Sequence, residues 1–222
     1  SHPYRNYWGI QRDPADPEAP DIQQEAGINA PQAVEAPEGP RMPVLSLRST
    51  PSKSGSAVTP WHDQYRMNQG TIRYYGDHKV TSRVPLGETT GNRRLLDAWS
   101  KHRSPSASVR VTAPPVVVFR TVTVQTPQGP REKGFIEFCG LVVIEDVQAV
   151  TLEDPTTGRA FPNFVADLAV LTLPDDRFDW RWVDARRKPS LTVEQTLAHA
   201  PASWNAWIAA GGEALQHVRR LE

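Results

Sequence analysis

The sequence predicts an α+β protein in which a curved, mostly β middle is flanked by helices. Three observations carry that prediction. Residues 111–173 are dense in β-branched and aromatic residues at strand spacing. Residues 89–103 and 190–212 place apolar side chains at i, i+3 and i+4, the spacing of one helix face. The chain also holds 21 prolines, which bar long uninterrupted helices and central strands, so the elements are short and the loops many. At 222 residues, 38% of them hydrophobic and seven of them Trp, the chain has material for one large core or two small ones.

Taken in order, "YRNYWGI" near the start is an aromatic packing segment. Residues 13–40 are Pro, Ala and acid with almost no bulky apolar side chain, and read as loop or partly disordered chain. "MPVLSLRS" (42–49) is a strand. "TPSKSGSAVTP" (50–60) is a polar loop able to lie along phosphates through Lys53, its hydroxyls and its amides. Residues 61–77 read as a turn leading into a strand. Residues 89–103 form a helix with Leu95, Leu96 and Trp99 on its apolar side and Gly91-Asn92 at its start. From 111 come a strand pair around the turn Pro127-Gln128-Gly129-Pro130, one long or bent strand over 134–154, a turn in "PTTGRAFPN", and a strand over 164–173. "FDWRWVDARRK" is short and mixed. Thr192 with Gln195 makes a capping box, and Pro201 suits a helix first turn. Trp204, Trp207 and Ile208 form one apolar face, and Gly211-Gly212 ends the helix.

Several function classes are excluded early. The single Cys, Cys139, forbids an internal disulfide and a Cys-cluster metal site, and suits a reducing, cytoplasmic setting. The six His are scattered without ligand spacing. No G-x-S-x-G elbow and no Gly-rich nucleotide loop occurs. No apolar run approaches the roughly 20 residues of a membrane span, so no membrane partner is expected. The Ser-His start without Met suggests a piece of a longer protein. Formal net charge is zero, but it is unevenly spread: −5 over residues 1–40, +8 over 41–110 and −3 over 111–222. A local positive field is what attracts a polyanion.

The basic block also contains "GTIRYYGDHK" (70–79), where a strand breaks at Gly76 and delivers Asp77, His78 and Lys79. Two chemistries fit. Asp63 followed by Asp77 and Lys79 resembles the acid and acid-x-Lys arrangement that holds Mg²⁺ beside an ammonium in a self-contained nuclease. Alternatively, a tyrosine offers a flat stacking face and a carboxylate accepts from the N4 amino group of cytosine, which together make a base pocket. Against both stands a plain packing role, with Tyr74 and Tyr75 split between the two faces of a strand and Asp77 making a turn.

Read as an ordered series, "PVLSLRSTPSKSGSAVTPWHD", "GTIRYYGDHK", "TGNRRLL", "APPVVVF", "KGFIEFCGLVVI" and "FPNFVADLAVLTL" resemble the SRA-like N-terminal DNA-recognition domain of AspBHI-type modification-dependent (type IV) restriction endonucleases. The resemblance implies an SRA-like curved sheet or partial barrel with flanking helices. It implies a partner, duplex DNA carrying 5-methylcytosine or 5-hydroxymethylcytosine, whose modified base flips into an aromatic pocket. On this resemblance Asp63 is the acceptor for the cytosine edge and Tyr74 a stacking face, with Tyr75 and Asp77 as alternatives and Trp61 as a second wall. Arg48, Lys53, Lys79, Arg93 and Arg94 are candidates for the DNA backbone. Three regions are expected: an extension over 1–40, the reading domain over 41–212, and a tail over 213–222 leading toward a nuclease domain. Binding then needs no cofactor, Mg²⁺ being expected only for that nuclease. The chain would be a reader rather than an enzyme. A module reading phosphorothioate DNA is a further alternative.

Overall fold

The computed structural model describes residues 3–5, 25–131 and 135–213. Strand β1 (Pro3–Arg5) opens the chain, and β2 (Gly27–Asn29), β3 (Val34–Ala36) and β4 (Gly39–Arg41) follow. Next come β5 (Leu45–Ser49), β6 (Gln64–Arg66), β7 (Thr71–Tyr75) and the helices α1 (Thr90–His102) and α2 (Ala107–Arg110). Strands β8 (Val116–Thr121), β9 (Val124–Thr126), β10 (Gly129–Arg131), β11 (Phe135–Glu153) and β12 (Ala160–Val170) form the middle. Helices α3 (Arg181–Arg186), α4 (Val193–Thr196) and α5 (Ala202–Ala210) complete the order.

Among the described residues, eight strands share one open sheet in the order β2-β5-β8-β11-β12-β7-β6, with β1 joined to β11. Only β5 and β8 run parallel; the other pairs are antiparallel. The fold is thus the expected α+β with a curved, unclosed sheet. Its curvature follows from β11, whose register shifts between Phe138 and Gly140 and again between Ile144 and Asp146. Each extra residue bends the strand and increases its local twist. Gly140 takes φ +146 at the first bulge, and a Cβ there would meet Val170 Cγ1 at 2.6 Å. The apolar run Leu141–Ile144 is continuous because this stretch is buried on both faces.

Alternate residues feed two cores. On one face, Leu45, Leu47, Ile72, Tyr74, Val116, Val118 and Val142 meet Leu95 and Ala98 of α1. On the other, Val117, Phe119, Leu141 and Val143 meet Trp180, Trp182, Trp204 and Trp207 from the C-terminal helical region. Trp204 and Trp207 stand 4.5 Å apart at 53°, a tilted pair within the usual range for aromatic packing.

Some expectations change. Of residues 13–40, read as loop or partly disordered chain, those from 25 on hold β2 within the main sheet and most of the β3–β4 hairpin, which ends at Arg41. Their low apolar content hid this, because polar clamps supply much of the hold: Arg41 is buried and donates to the backbone oxygens of Arg186, Lys188 and Leu191 at 2.9, 2.7 and 2.8 Å. Helix α1 starts at Thr90 after the cap residue Thr89, so Gly91 and Asn92 lie inside its first turn. Pro201 is the cap of α5 rather than its first residue. "AFPN" belongs to β12, with Pro162 at an exposed position opposite Thr151. The short mixed segment forms α3. The Thr192–Gln195 capping box is present. Residues 6–24 and the tail from 214 lie outside the described residues. Among the described residues no helix is long and apolar enough to cross a membrane.

Candidate functional site

The register of β7 decides how its two tyrosines divide. Tyr74 pairs with Ala166 and Tyr75 with Val165 of β12, and neighbours on a strand point to opposite faces. Tyr74 follows Ile72 into the core beneath α1 and is 3% exposed. Its hydroxyl reaches the Arg48 backbone oxygen at 3.5 Å, and burial pushes its pKa well above the ordinary tyrosine value. Tyr75 is half-buried on the opposite side. Its ring stacks with Trp61, the centroids 6.3 Å apart and the planes at 27°. Trp61 in turn leans on Phe161 of β12 at 6.5 Å and 48°.

A pocket of about 620 Å³ opens at this end of β7. Its walls include all five residues named as base contacts: Trp61, Asp63, Tyr74, Tyr75 and Asp77. Of the backbone candidates it includes Arg48, Lys53 and Lys79. Arg93 and Arg94 are not among its lining residues. They sit on α1, where Arg93 is exposed and Arg94 reaches the Ala30 backbone oxygen at 3.5 Å. Lys53 and Lys79 are exposed. Arg48 is half-buried, donates to Thr121 Oγ1 at 3.2 Å, and has its pKa lowered by burial.

The two acids of the pocket are each tied to the chain. Asp63 Oδ1 accepts from the Tyr75 amide at 2.8 Å. Burial pushes the Asp63 carboxyl above the usual aspartate value, against the opposing pull of the Tyr75 amide, the Ser49 hydroxyl and the nearby His62. Asp77 Oδ1 accepts from the Thr89 hydroxyl, and the Asp77 amide donates to Asn92 Oδ1 at 3.0 Å. The polar loop folds on itself beside the pocket: Thr59 Oγ1 donates to the Lys53 oxygen at 2.6 Å and Ser56 Oγ lies 2.9 Å from Thr59 Oγ1. Among the described residues no group of three or more His, Cys, Asp or Glu stands close enough to hold a metal ion.

Sequence reasoning missed contributors from three segments. Gly27, Ile28 and Asn29 of β2 form part of the pocket wall, although their segment read as loop. Ser49 is a partner of the key acid. Thr89 and Asn92 hold Asp77, and the sequence signals Asn92 only as part of the helix start.

The profile of the family described as "Restriction endonuclease AspBHI N-terminal" matches residues 6–219. No curated protein matches the chain. Among solved structures the chain is similar to MspJI restriction endonuclease in complex with a 27-mer oligonucleotide, with 39% identity and a TM-score of 0.86 over 98% of this chain. It spans about half of that chain's length, 52%. It is also similar to the DNA modification-dependent restriction endonuclease AspBHI, at 25% identity and a TM-score of 0.67, covering 99% of this chain and 91% of that one. The DNA recognition domain of the cytosine modification-dependent restriction endonuclease LpnPI shares the fold, at 19% identity and a TM-score of 0.61, over 90% of this chain and 82% of that one.

Proposed function

The chain belongs to the AspBHI N-terminal restriction endonuclease family, and from that premise we propose that it reads modified cytosine in duplex DNA by flipping the base into the pocket at the end of β7. The observation that carries the reading is the meeting of Trp61, Asp63 and Tyr75 in one pocket with Lys53 and Lys79 beside them. Extruding a base costs a few kcal/mol of lost stacking and pairing. Stacking on an aromatic ring returns about 1–3 kcal/mol per base. The rings of Trp61 and Tyr75 stack on one another, their centroids 6.3 Å apart. These two rings are the proposed stacking surface for the base, and Tyr74 supports them from the core.

Asp63 is the proposed acceptor for the cytosine N4 amino group. Thymine presents an acceptor at that position and would face the carboxylate with like polarity. Two chain donors, the Tyr75 amide and the Ser49 hydroxyl, hold the carboxylate in place. A charged acceptor in a partly desolvated site makes a stronger hydrogen bond than a neutral one. Lys53 and Lys79 serve as phosphate contacts. Binding uses no cofactor in this reading, and cleavage is assigned to a separate nuclease domain of a longer protein.

The test is a fluorescence-anisotropy titration at fixed salt. The duplexes differ at one cytosine that is plain, 5-methylated or 5-hydroxymethylated. A parallel incubation with Mg²⁺ is resolved on a gel. The expected result is several-fold tighter affinity for a modified duplex, a buried methyl group being worth about 0.8 kcal/mol, with the DNA left intact. Equal affinity for all three overturns the reading, and Mg²⁺-dependent cleavage selects a nuclease built on Asp63, Asp77 and Lys79.

A further inference from the structure

The segment Tyr75-Gly76-Asp77 carries the pocket wall, and its backbone is pinned at four points. Asp63 accepts from the Tyr75 amide at 2.8 Å. The Gly76 amide donates to the Phe164 oxygen at 2.9 Å, and the Gly76 oxygen accepts from Asn163 Nδ2 at 3.1 Å. The Asp77 amide donates to Asn92 Oδ1 at 3.0 Å. The last contact belongs to a closed ring. Thr89, the cap residue of α1, donates its hydroxyl to Asp77 Oδ1 and accepts at the same oxygen from the Asn92 amide at 3.3 Å.

The ring is tight enough to dictate two glycines. A Cβ on Gly91 would stand 2.3 Å from Asp77 Oδ2, and one on Gly76 would stand 2.4 Å from Asn92 Oδ1. Asn92 and Asn163 are both fully buried. The Asp77 carboxylate thus lies between the cap hydroxyl and the first turn of α1, where the helix dipole favours a negative charge. Although Asp77 also lines the pocket, one of its oxygens is engaged by Thr89 and the other occupies the space that the missing Cβ of Gly91 leaves.

We infer that Asp77, Thr89 and Asn92 are positioning residues for the base pocket, acting as a clasp that fixes the wall at Tyr75 while Asp63 meets the base. The inference rests on the modified-cytosine reading. Its physical reason is preorganisation: a wall already ordered in the free protein spends none of the stacking energy on ordering when the base arrives. The clasp also joins β7 to α1 across residues 77–89 without needing order in the connecting loop.

The experiment compares wild type with Thr89→Val, Thr89→Ser, Asp77→Ala and the double variant Thr89→Val/Asp77→Ala. Affinities for modified and plain duplexes are titrated, and hydrogen exchange of the Tyr75–Asp77 amides is followed in the free protein. Thr89→Val is expected to lower the modified-to-plain affinity ratio by about tenfold, the size typical of coupled neighbours. The Tyr75–Asp77 amides exchange faster in the free protein. Thr89→Ser, which keeps the hydroxyl, restores both, and the double variant loses no more than Asp77→Ala alone. If Asp77→Ala destroys the ratio while Thr89→Val leaves it intact, Asp77 reads the base itself and the inference is overturned. If Thr89→Val leaves both ratio and exchange at wild-type values, the clasp sets nothing. A wild-type chain without any preference between duplexes overturns instead the reading of the site, and the positioning role falls with it.

Discussion

Asp63 works under opposed demands. Burial raises its pKa in the folded chain, and the amide and hydroxyl that hold it only partly offset this. For an acid with a raised folded pKa, the stabilising contribution is present below the unfolded value and is lost as pH rises through the folded one. The ionised form of Asp63 therefore opposes folding, and it is this form that the proposed acceptor role requires. Asp63→Asn keeps an oxygen for the Tyr75 amide but turns an amide donor toward the cytosine edge. Its expected effects are a thermal midpoint at pH 7 equal to or above wild type, and a modified-to-plain affinity ratio reduced by about tenfold or more. Melting curves and the anisotropy titration check both, and a wild-type ratio in this variant would remove Asp63 from the pocket chemistry. His102 shows the opposite sign. It is 3% exposed, accepts from the Ile144 amide through Nδ1 at 2.9 Å, and faces the Pro114 oxygen through Nε2 at 3.1 Å. Burial, opposed by that bond and aided by Lys101, lowers its pKa from 6.5 to about 4. The stability it confers is full above about 6.5 and lost as pH falls toward 4, a swing of about 3 kcal/mol. Urea unfolding at pH 7 and pH 4.5 should show a loss in wild type that is smaller by that order in His102→Gln.

At the scale of elements, three buried arginines tie segments that share little apolar surface. Arg41 donates to the Arg186 oxygen at 2.9 Å, and Arg186 donates to the Pro43 and Met42 oxygens at 3.0 and 3.1 Å. Burial and the adjacent Arg41 push Arg186 down to about 9, with Glu38 pulling the other way. Arg110 donates to the Ile208 and Ala209 oxygens at the end of α5, satisfying carbonyls that a helix terminus leaves open. Arg41→Ala should cost about 3 kcal/mol, because buried carbonyls lose their donor at about 1–3 kcal/mol each. Arg41→Lys should recover little, since an ammonium cannot reproduce a planar fork reaching three oxygens. Urea midpoints of the two variants check this, and a neutral Arg41→Lys would deny the fork its role. The strands themselves were legible from alternation and the helices from their spacing, down to the capping box at Thr192. The β3–β4 hairpin was not, because its hold is polar and comes from residues about 145 positions away in the chain. Hydrophobic periodicity carries no trace of such a contact.

For the whole molecule, the charge division of the sequence becomes a location. The block over residues 41–110, net +8, supplies Arg48, Lys53 and Lys79 to the pocket region, whereas Arg93 and Arg94 of the same block stand apart on α1. Phosphate contacts release counterions, each adding about 0.9 to the slope of log affinity against log salt on duplex DNA. Lys53→Ala is expected to weaken modified and plain duplexes alike and to lower that slope by about 1. Titrations across salt concentrations check this; a change confined to the modified duplex would make Lys53 a base contact rather than a phosphate contact.

The sequence by itself determined the α+β class, the positions of most strands and of α1 and α5, and the basic block. Those features are local: alternation, helical spacing, turn chemistry and charge are written within a few residues of one another. Only the tertiary structure decided that Tyr74 goes to the core and Tyr75 to Trp61, since a one-residue change of register on β12 would exchange them. Only it decided that Asp77 is held by Thr89 while Asp63 meets the Tyr75 amide, and that an acidic, proline-rich segment contributes β2 to the wall. Each of these depends on which distant residue lies across a sheet or at a helix end, and that is settled by the packing of the whole chain.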